Sequence, residues 1–293
     1  MSTPAAPPAP PQSPAPPPPG GQTPGGRPPG RGVARAVSAV AVVLGAVVLV
    51  TGVVGAASST VRDASRVDDD LAVSTEGVSR LDVEAAATRV DVAFGDVEQA
   101  ELAVRGSRGQ WQLERDGDLL RVTSPDGSFG GWALGWSGDQ GRATLTLPAE
   151  LGDGALDASF DVGGGELRAT GAYGAVQVDV GAGGVVLDGA ATSLDVDVAA
   201  GELEVDVTGV EEAGFDVAAG SVVAALGGTT APRSVAVDVS AGSLELALPA
   251  QTYALESDVA AGTLEESLDT SPAAASQIEV SLAAGTVVLR ENG

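Results

Sequence analysis

Residues 194–207 read Leu-Asp-Val-Asp-Val-Ala-Ala-Gly-Glu-Leu-Glu-Val-Asp-Val. Apolar side chains alternate with acids on both sides of Gly201, which is the period of a half-buried β-strand. The alternation shifts by one residue at Ala200 and Gly201. A parity shift at a glycine lets a chain turn a corner and keep its apolar face inward. The stretch therefore predicts two short strands joined at a glycine corner.

This unit, Asp-Val-x-Ala-Gly-x-(Leu/Val), recurs with small variations about every 20 residues in the later part of the chain. One unit cannot bury its apolar face alone, whereas stacked neighbours can. The near-constant period favours an all-β, β-solenoid-like stack, and an antiparallel β-sandwich or prism is the alternative. The copies begin at Asp161, Asp179, Asp197, Asp216, Asp238 and Asp258, with a last copy at Ser281 and a weaker one at Asp91.

Residues 76–150 are less regular and are predicted to form the N-terminal part of the same body, capping the stack. Short alternating or β-branched runs predict strands here. These runs are Arg80–Val83, Arg89–Ala93, Ala100–Val104, Trp111–Leu113, Leu119–Val122 and Thr144–Leu147.

The N-terminal region has a different composition. Residues 1–32 are rich in proline and glycine and predict a disordered tail. From Ala36 to Ala57 there is no charged residue, and as a helix this segment would be about 33 Å long, enough to span a bilayer. We therefore predict a transmembrane helix over residues 33–57, a juxtamembrane linker over 58–75 and a body over 76–293. A cleaved signal peptide, with Val54-Gly55-Ala56 as its cleavage site, is the alternative.

Charge predicts the orientation. The chain has 15 basic and 40 acidic residues and a net charge of −25. Residues 1–57 hold three arginines and no acid, which leaves 12 basic and 40 acidic residues, or −28, in the remainder. The positive-inside rule then places the N-terminus in the cytoplasm and the body outside a single-pass cell membrane anchor. A body with this much negative charge repels the phosphates of nucleic acids, so no nucleic-acid partner is expected.

The sequence contains no cysteine and no histidine. This excludes disulfides, thiolate metal sites, thiol nucleophiles, and the commonest general base and zinc ligand. No cofactor and no enzymatic activity are predicted. Two carboxylate pairs, Glu211-Glu212 and Glu265-Glu266, would suit a glycosidase, but no tryptophan follows Trp136 to line a sugar-binding groove.

Three features together resemble a bacterial family of putative-adhesin, β-strand-repeat proteins, a domain of unknown function. They are the Thr144-Leu-Thr-Leu-Pro148 strand, the Asp-Val-x-Ala-Gly-x-Leu series, and the upstream Asp118-Leu-Leu-Arg-Val122 strand. The resemblance covers residues 76–293. It implies a stack of β-strands, sometimes membrane-anchored, with a role in adhesion or envelope-stress signalling, and it implies no catalytic residue.

The repeated aspartates are one candidate site. In an in-register stack, Asp161, Asp179, Asp197, Asp216, Asp238 and Asp258 would form a column with steps of about 4.8 Å. Calcium binds oxygen ligands of this kind. The other interpretation is a solvated face that keeps the protein soluble and discourages edge pairing.

The aromatic residues Phe129, Trp132 and Trp136 lie in a glycine-rich segment and are a second candidate. Exposed, they would form a contact loop; folded back, they would plug the open end of the stack. The sequence as a whole predicts a cell-surface adhesin or envelope interaction module that contacts a surface protein or glycan. The alternative is an envelope-stress sensor that acts through a membrane partner.

Overall fold

The computed structural model describes residues 67–107, 109–125 and 141–292. The predicted hydrophobic segment and the residues Phe129, Trp132 and Trp136 lie outside these ranges. The described residues form strands and one short 3₁₀ helix, at Ala149–Gly152. Within those ranges, no helix has the length and hydropathy needed to cross a membrane.

The strands follow one another along the whole described chain. The first eleven are β1 (Val67–Val73), β2 (Arg80–Ala85), β3 (Arg89–Gly95), β4 (Ala100–Ser107), β5 (Gln112–Asp116), β6 (Leu119–Thr123), β7 (Arg142–Pro148), β8 (Asp157–Val162), β9 (Glu166–Ala172), β10 (Ala175–Val180) and β11 (Gly184–Ala190). The others are β12 (Ser193–Val198), β13 (Glu202–Thr208), β14 (Glu212–Val217), β15 (Ser221–Gly227), β16 (Ser234–Val239), β17 (Ser243–Leu248), β18 (Thr252–Val259), β19 (Thr263–Ser267), β20 (Asp269–Thr270), β21 (Ser276–Leu282) and β22 (Thr286–Glu291).

The strands form two eleven-stranded sheets, which we call sheets A and B. Sheet A has the order β1-β4-β7-β3-β9-β11-β13-β15-β17-β22-β19, and sheet B has the order β20-β18-β21-β16-β14-β12-β10-β8-β2-β6-β5. A rung is one strand of sheet B followed by one of sheet A, such as β12–β13. From β8 to β17 all neighbouring rungs pair in parallel and in register. This is the solenoid-like stack that the repeat predicted, not the antiparallel alternative.

The core lies between the sheets. Every second residue of a rung points inward, as in β13, where Leu203, Val205 and Val207 are buried and the intervening acids are exposed. Burying a valine or leucine contributes roughly 1.5–3 kcal/mol. A single rung offers only about six such residues against the entropy of ordering its backbone, so its stability depends on the rungs beside it.

The corner glycines allow neighbouring rungs to approach closely. A Cβ at Gly220 would lie 2.6 Å from the carbonyl oxygen of Gly201, the corner glycine of the preceding rung. That carbonyl accepts a hydrogen bond of 3.0 Å from the amide of Ser221. The repeat therefore keeps glycine because the corner backbones stack directly on one another. Most of these corners do not need a positive φ, which occurs in the series only at Gly262 and Gly285.

Chain order and spatial order differ at the C-terminal end. The final rung, β21–β22, pairs with β16–β17 on one side and with β18–β19 on the other. The rung β18–β19 follows β17 in sequence but lies beyond β21–β22, with the short strand β20 outside β18. The Ser281 copy is therefore inside the stack, and the Asp258 copy is at its end.

Chain order and spatial order also differ at the N-terminal end. Rung β2–β3 pairs directly with β8–β9, while β6 and β7 lie outside it. Strands β1, β4 and β5 cover the outermost positions through antiparallel pairs. The predicted strands of residues 76–150 are confirmed, and this region caps the stack as predicted.

Two sequence predictions are wrong here. The weak repeat copy is not at Asp91: the corner of rung β2–β3 is Ala86-Ala-Thr88, and Glu84 takes the aspartate position opposite Asp161. The predicted linker, residues 58–75, includes β1, so the folded body begins before residue 76. Both errors arise because antiparallel edge strands and a corner without glycine lack the repeat pattern.

Candidate functional site

The predicted aspartate column exists along the outer face of sheet B, with one interruption. We call it the acidic ladder: Glu84, Asp161, Asp179, Asp197, Asp216 and Asp238, each directly opposite the next across adjacent strands. Ser281 then takes the next position, and Asp258 follows it at the end of the stack. Asp258 is therefore separated from the other five predicted aspartates.

Burial and neighbouring charges raise the pKa values of three aspartates in the ladder. Partial burial raises the pKa of Asp179, and the charges of Asp161 and Asp197 raise it further. The pKa of Asp216 is raised for the same reasons, by burial and then by Asp197 and Asp238. For Asp161 the raised pKa comes from burial and then from the charge of Asp82. These three carboxylates thus carry an electrostatic cost at neutral pH.

The ladder does not have the form of a chelating site. No group of three or more acidic side chains in the described ranges is arranged to hold a metal ion. Calcium requires six to eight oxygens around it, whereas a row on a flat sheet presents its carboxylates along a line. The geometry agrees better with the interpretation of a solvated acidic face.

The two glutamate pairs do not form a catalytic pair of carboxylates. Glu211 forms an ion pair with Arg233, just before β14. Glu265 and Glu266 are consecutive residues of the edge strand β19. Because successive side chains of a strand point to opposite faces, these two cannot act on one bond.

Of the chain's aromatic residues, those in the described ranges serve as packing groups. Trp111 is buried, and its Nε1 donates a hydrogen bond of 3.1 Å to Ser107 Oγ. Tyr173 packs against Phe94 and Phe160, with ring centroids 5.5 and 5.9 Å away. Its hydroxyl has no hydrogen-bond partner among the described residues, and burial raises the pKa of Tyr173 far above its ordinary value. It therefore stays protonated and is no candidate base.

The structure reveals a basic cluster that the sequence analysis missed. On the outer face of sheet A, Arg105, Arg142 and Arg89 are directly opposite one another on β4, β7 and β3. Arg168 lies in the adjoining row on β9, opposite Asp91. We call these four residues the arginine cluster. They are spread over about 80 residues of sequence, and only the exchanged order of β3 and β7 brings them together.

Three members of the cluster have acidic partners. Arg105 contacts Asp70 at 2.8 Å, Arg142 contacts Asp91 at 3.6 Å, and Arg89 pairs with Glu166. The hydrogen bond with Asp70, followed by its charge, raises the pKa of Arg105. Arg168 is exposed and makes no hydrogen bond or ion pair within the described part of the chain.

Two open grooves run beside this cluster. One, of about 930 Å³, follows the glycine corners and is lined by Arg89, Arg105, Arg142, Gly165, Gly183 and Gly201. The other, of about 950 Å³, lies over sheet A and includes Arg168, Val186 and Val223. Arg89, Arg142 and Glu166 border both grooves. The cluster therefore faces open surface on two sides.

Comparison with known proteins gives limited similarity. The sequence matches no protein-family model and no curated protein. Among solved structures, a putative cell adhesion protein from Clostridium sporogenes is 11% identical with a TM-score of 0.36, covering 78% of this chain and 100% of that chain. A putative adhesin from Bacteroides fragilis is 13% identical with a TM-score of 0.42, covering 78% and 99%. A putative lipid binding protein from Parabacteroides distasonis is 14% identical with a TM-score of 0.41, covering 78% and 97%. Similarity at this level establishes no common function.

Proposed function

We propose that this chain is a membrane-anchored, extracytoplasmic contact module, an adhesin or envelope interaction protein without catalytic activity. The observation that carries the proposal is the regular outer surface of the stack. Sheet B presents a row of like side chains, the acidic ladder, at the spacing of neighbouring strands, on a scaffold held by backbone hydrogen bonds. Such a surface suits many equal, weak contacts, whose combined strength greatly exceeds that of each one.

The N-terminal sequence supports the location. Residues 1–57 contain three arginines and no acidic residue. The uncharged segment from Ala36 to Ala57 separates these arginines from the acidic body. The proposed topology has a cytoplasmic tail, one membrane span and an external stack. The partner is an envelope or surface protein or a glycan, since the charge of the body opposes nucleic acid.

Attachment of cells under flow tests the proposal. We would express three tagged forms at equal levels: the full-length chain, a form without residues 67–292, and a form without residues 1–32. The proposal predicts that attachment requires the stack and not the tail. Equal attachment of cells with and without the stack would contradict it. Loss of an envelope-stress response on removal of residues 1–32 alone would instead support the sensory alternative.

A further inference from the structure

We propose that the arginine cluster is a binding site for an acidic oligosaccharide, or for a short acidic stretch of a polysaccharide. This inference rests on the proposed function and names the chemistry of the ligand. It is carried by the geometry of Arg105, Arg142, Arg89 and Arg168 on adjacent strands of sheet A.

The position of the cluster is unusual for so acidic a chain. It gathers four of the nine arginines of the described residues on four neighbouring strands. Neighbouring strands are about 4.8 Å apart, so the four positions span roughly 14 Å along the stack. Like charges at such spacing repel one another, and the acids paired with three of these arginines offset part of that repulsion. Bound anions would relieve this repulsion.

The existing ion pairs leave the arginines available. The side chains of Arg105, Arg142 and Arg89 are 53%, 58% and 47% exposed. Exposed ion pairs contribute little to stability, so an incoming carboxylate or sulfate can replace the internal acid. Arg168 needs no replacement, because it has no partner within the described ranges.

The shape of the guanidinium groups determines which anions they bind. Each presents a planar fork of donors that matches a carboxylate or sulfate with two parallel hydrogen bonds. One such contact in solvent is weak, so useful binding requires several anionic groups on one ligand. The corner groove is lined by Gly165, Gly183 and Gly201, which carry no side chain that would obstruct an extended chain.

Charges on both sides limit the length of the ligand. Beyond Arg168, the outer face of sheet A carries Glu202 and Glu204 on β13. Beyond Arg105, β1 carries Asp68, Asp69 and Asp70. A densely charged polymer such as nucleic acid would extend from the cluster onto these acids. A sugar chain with two or three acidic groups, spaced by neutral hydroxyl-bearing rings, fits between them.

The test measures binding of the purified full-length chain, in detergent, to immobilised polygalacturonate and dextran sulfate, with neutral dextran as a control. We expect binding at about 20 mM NaCl, a low ionic strength, and weaker binding at about 150 mM NaCl, the physiological value. The double variant Arg142→Gln/Arg168→Gln should lose at least about tenfold in affinity. The preference between the two polymers identifies carboxylate or sulfate as the anion.

A matched variant controls for net charge. Arg233→Gln/Arg290→Gln also removes two positive charges, and each of these arginines is in an ion pair with an acid away from the cluster. It should bind within about twofold of the unchanged chain. Equal losses in both double variants, no binding by the unchanged chain at 20 mM NaCl, or equal binding to neutral dextran or single-stranded DNA would each overturn the proposal.

The experiment distinguishes a loss of binding from a loss of folding and from an error in the proposed cellular location. Arg168→Gln alone removes no hydrogen bond or ion pair with a described residue, so its thermal unfolding should match that of the unchanged chain while its affinity falls. The purified protein binds or fails to bind whatever its location in the cell. Failure here would therefore leave the attachment experiment of the proposed function standing.

Discussion

At the residue scale, the corner glycine matters because it leaves space rather than because it permits an unusual φ. The carbonyl oxygen of Gly201 would be 2.6 Å from a Cβ at Gly220. That Cβ would also lie 2.4 Å from the Cγ1 methyl of Val198. The carbonyl oxygen cannot move aside without breaking the hydrogen bond from Ser221. The sequence correctly indicated a turn at this glycine but not the reason for it, since the contact is with another rung.

We predict that Gly220→Ala lowers the free energy of unfolding by about 1–3 kcal/mol, the usual cost of overpacking. Gly184→Ala is the control, because a Cβ there would meet nothing within 4 Å, and it should be neutral or slightly stabilising. Chemical denaturation of the full-length chain measures both. Equal stability of the two variants would contradict the stacked-corner explanation.

The acidic ladder is also a matter of single residues, and its pKa shifts predict a pH dependence. The pKa of Asp179 is raised from 3.8 in the folded state, so the folded chain holds this proton more tightly than the unfolded chain. Stability from this group is therefore present at low pH and is lost as pH rises from about 3.8 through the raised value.

Asp179→Asn should consequently stabilise the protein by about 1 kcal/mol at pH 7 and low salt, and by almost nothing at pH 3. Glu204→Gln is the control, since Glu204 lies between Val186 and Val223 in its row and has no acid directly beside it. Denaturation at both pH values and at two salt concentrations provides the measurement. A gain that persists at pH 3, or the same gain for both variants, would exclude ladder repulsion as the cause.

At the element scale, the exchanged rung order makes β18–β19 depend on the last residues of the chain. This rung pairs with β21–β22 and not with β16–β17. Truncation after Ala275 removes β21–β22. We predict that amide hydrogens of residues 254–267 then lose their protection from exchange, because their strand partners are gone.

Deletion of residues 251–275 is the complementary variant. It removes the outer rung and leaves β21–β22 paired with β16–β17, so residues 276–291 should stay protected. Hydrogen exchange followed by mass spectrometry compares both variants with the full-length chain. Retained protection of residues 254–267 after truncation would show that β18–β19 can pair with β16–β17, contrary to the observed dependence.

The strands and the rung order differ in how far sequence predicts them. Alternation in runs such as Leu203–Val207 reveals strands because burial repeats every second residue. The order of the rungs cannot be predicted in the same way. The copies at Asp238, Asp258 and Ser281 have nearly the same sequence pattern, and that pattern allows any of them to lie beside any other. The acidic ladder was predictable because its members repeat. The arginine cluster was not, because Arg89, Arg142 and Arg168 meet only through that order.

At the scale of the whole molecule, charge and hydropathy divide the chain into a basic start, an uncharged segment and a strongly acidic body. The body has an acidic ladder on one sheet and a basic cluster on the other. A stack of this kind is suited to presenting side chains outward over a long surface. Its use as a contact module depends on its lying outside the membrane.

Labelling of single cysteines in intact cells tests that location most directly. The chain has no cysteine, so Ser240→Cys, at an exposed corner of the stack, and Ser13→Cys, in the tail, each introduce one thiol. We predict that a membrane-impermeant maleimide labels the first variant in intact cells and the second only after lysis. Labelling of the Ser240→Cys variant only after lysis would contradict the proposal of an external contact module.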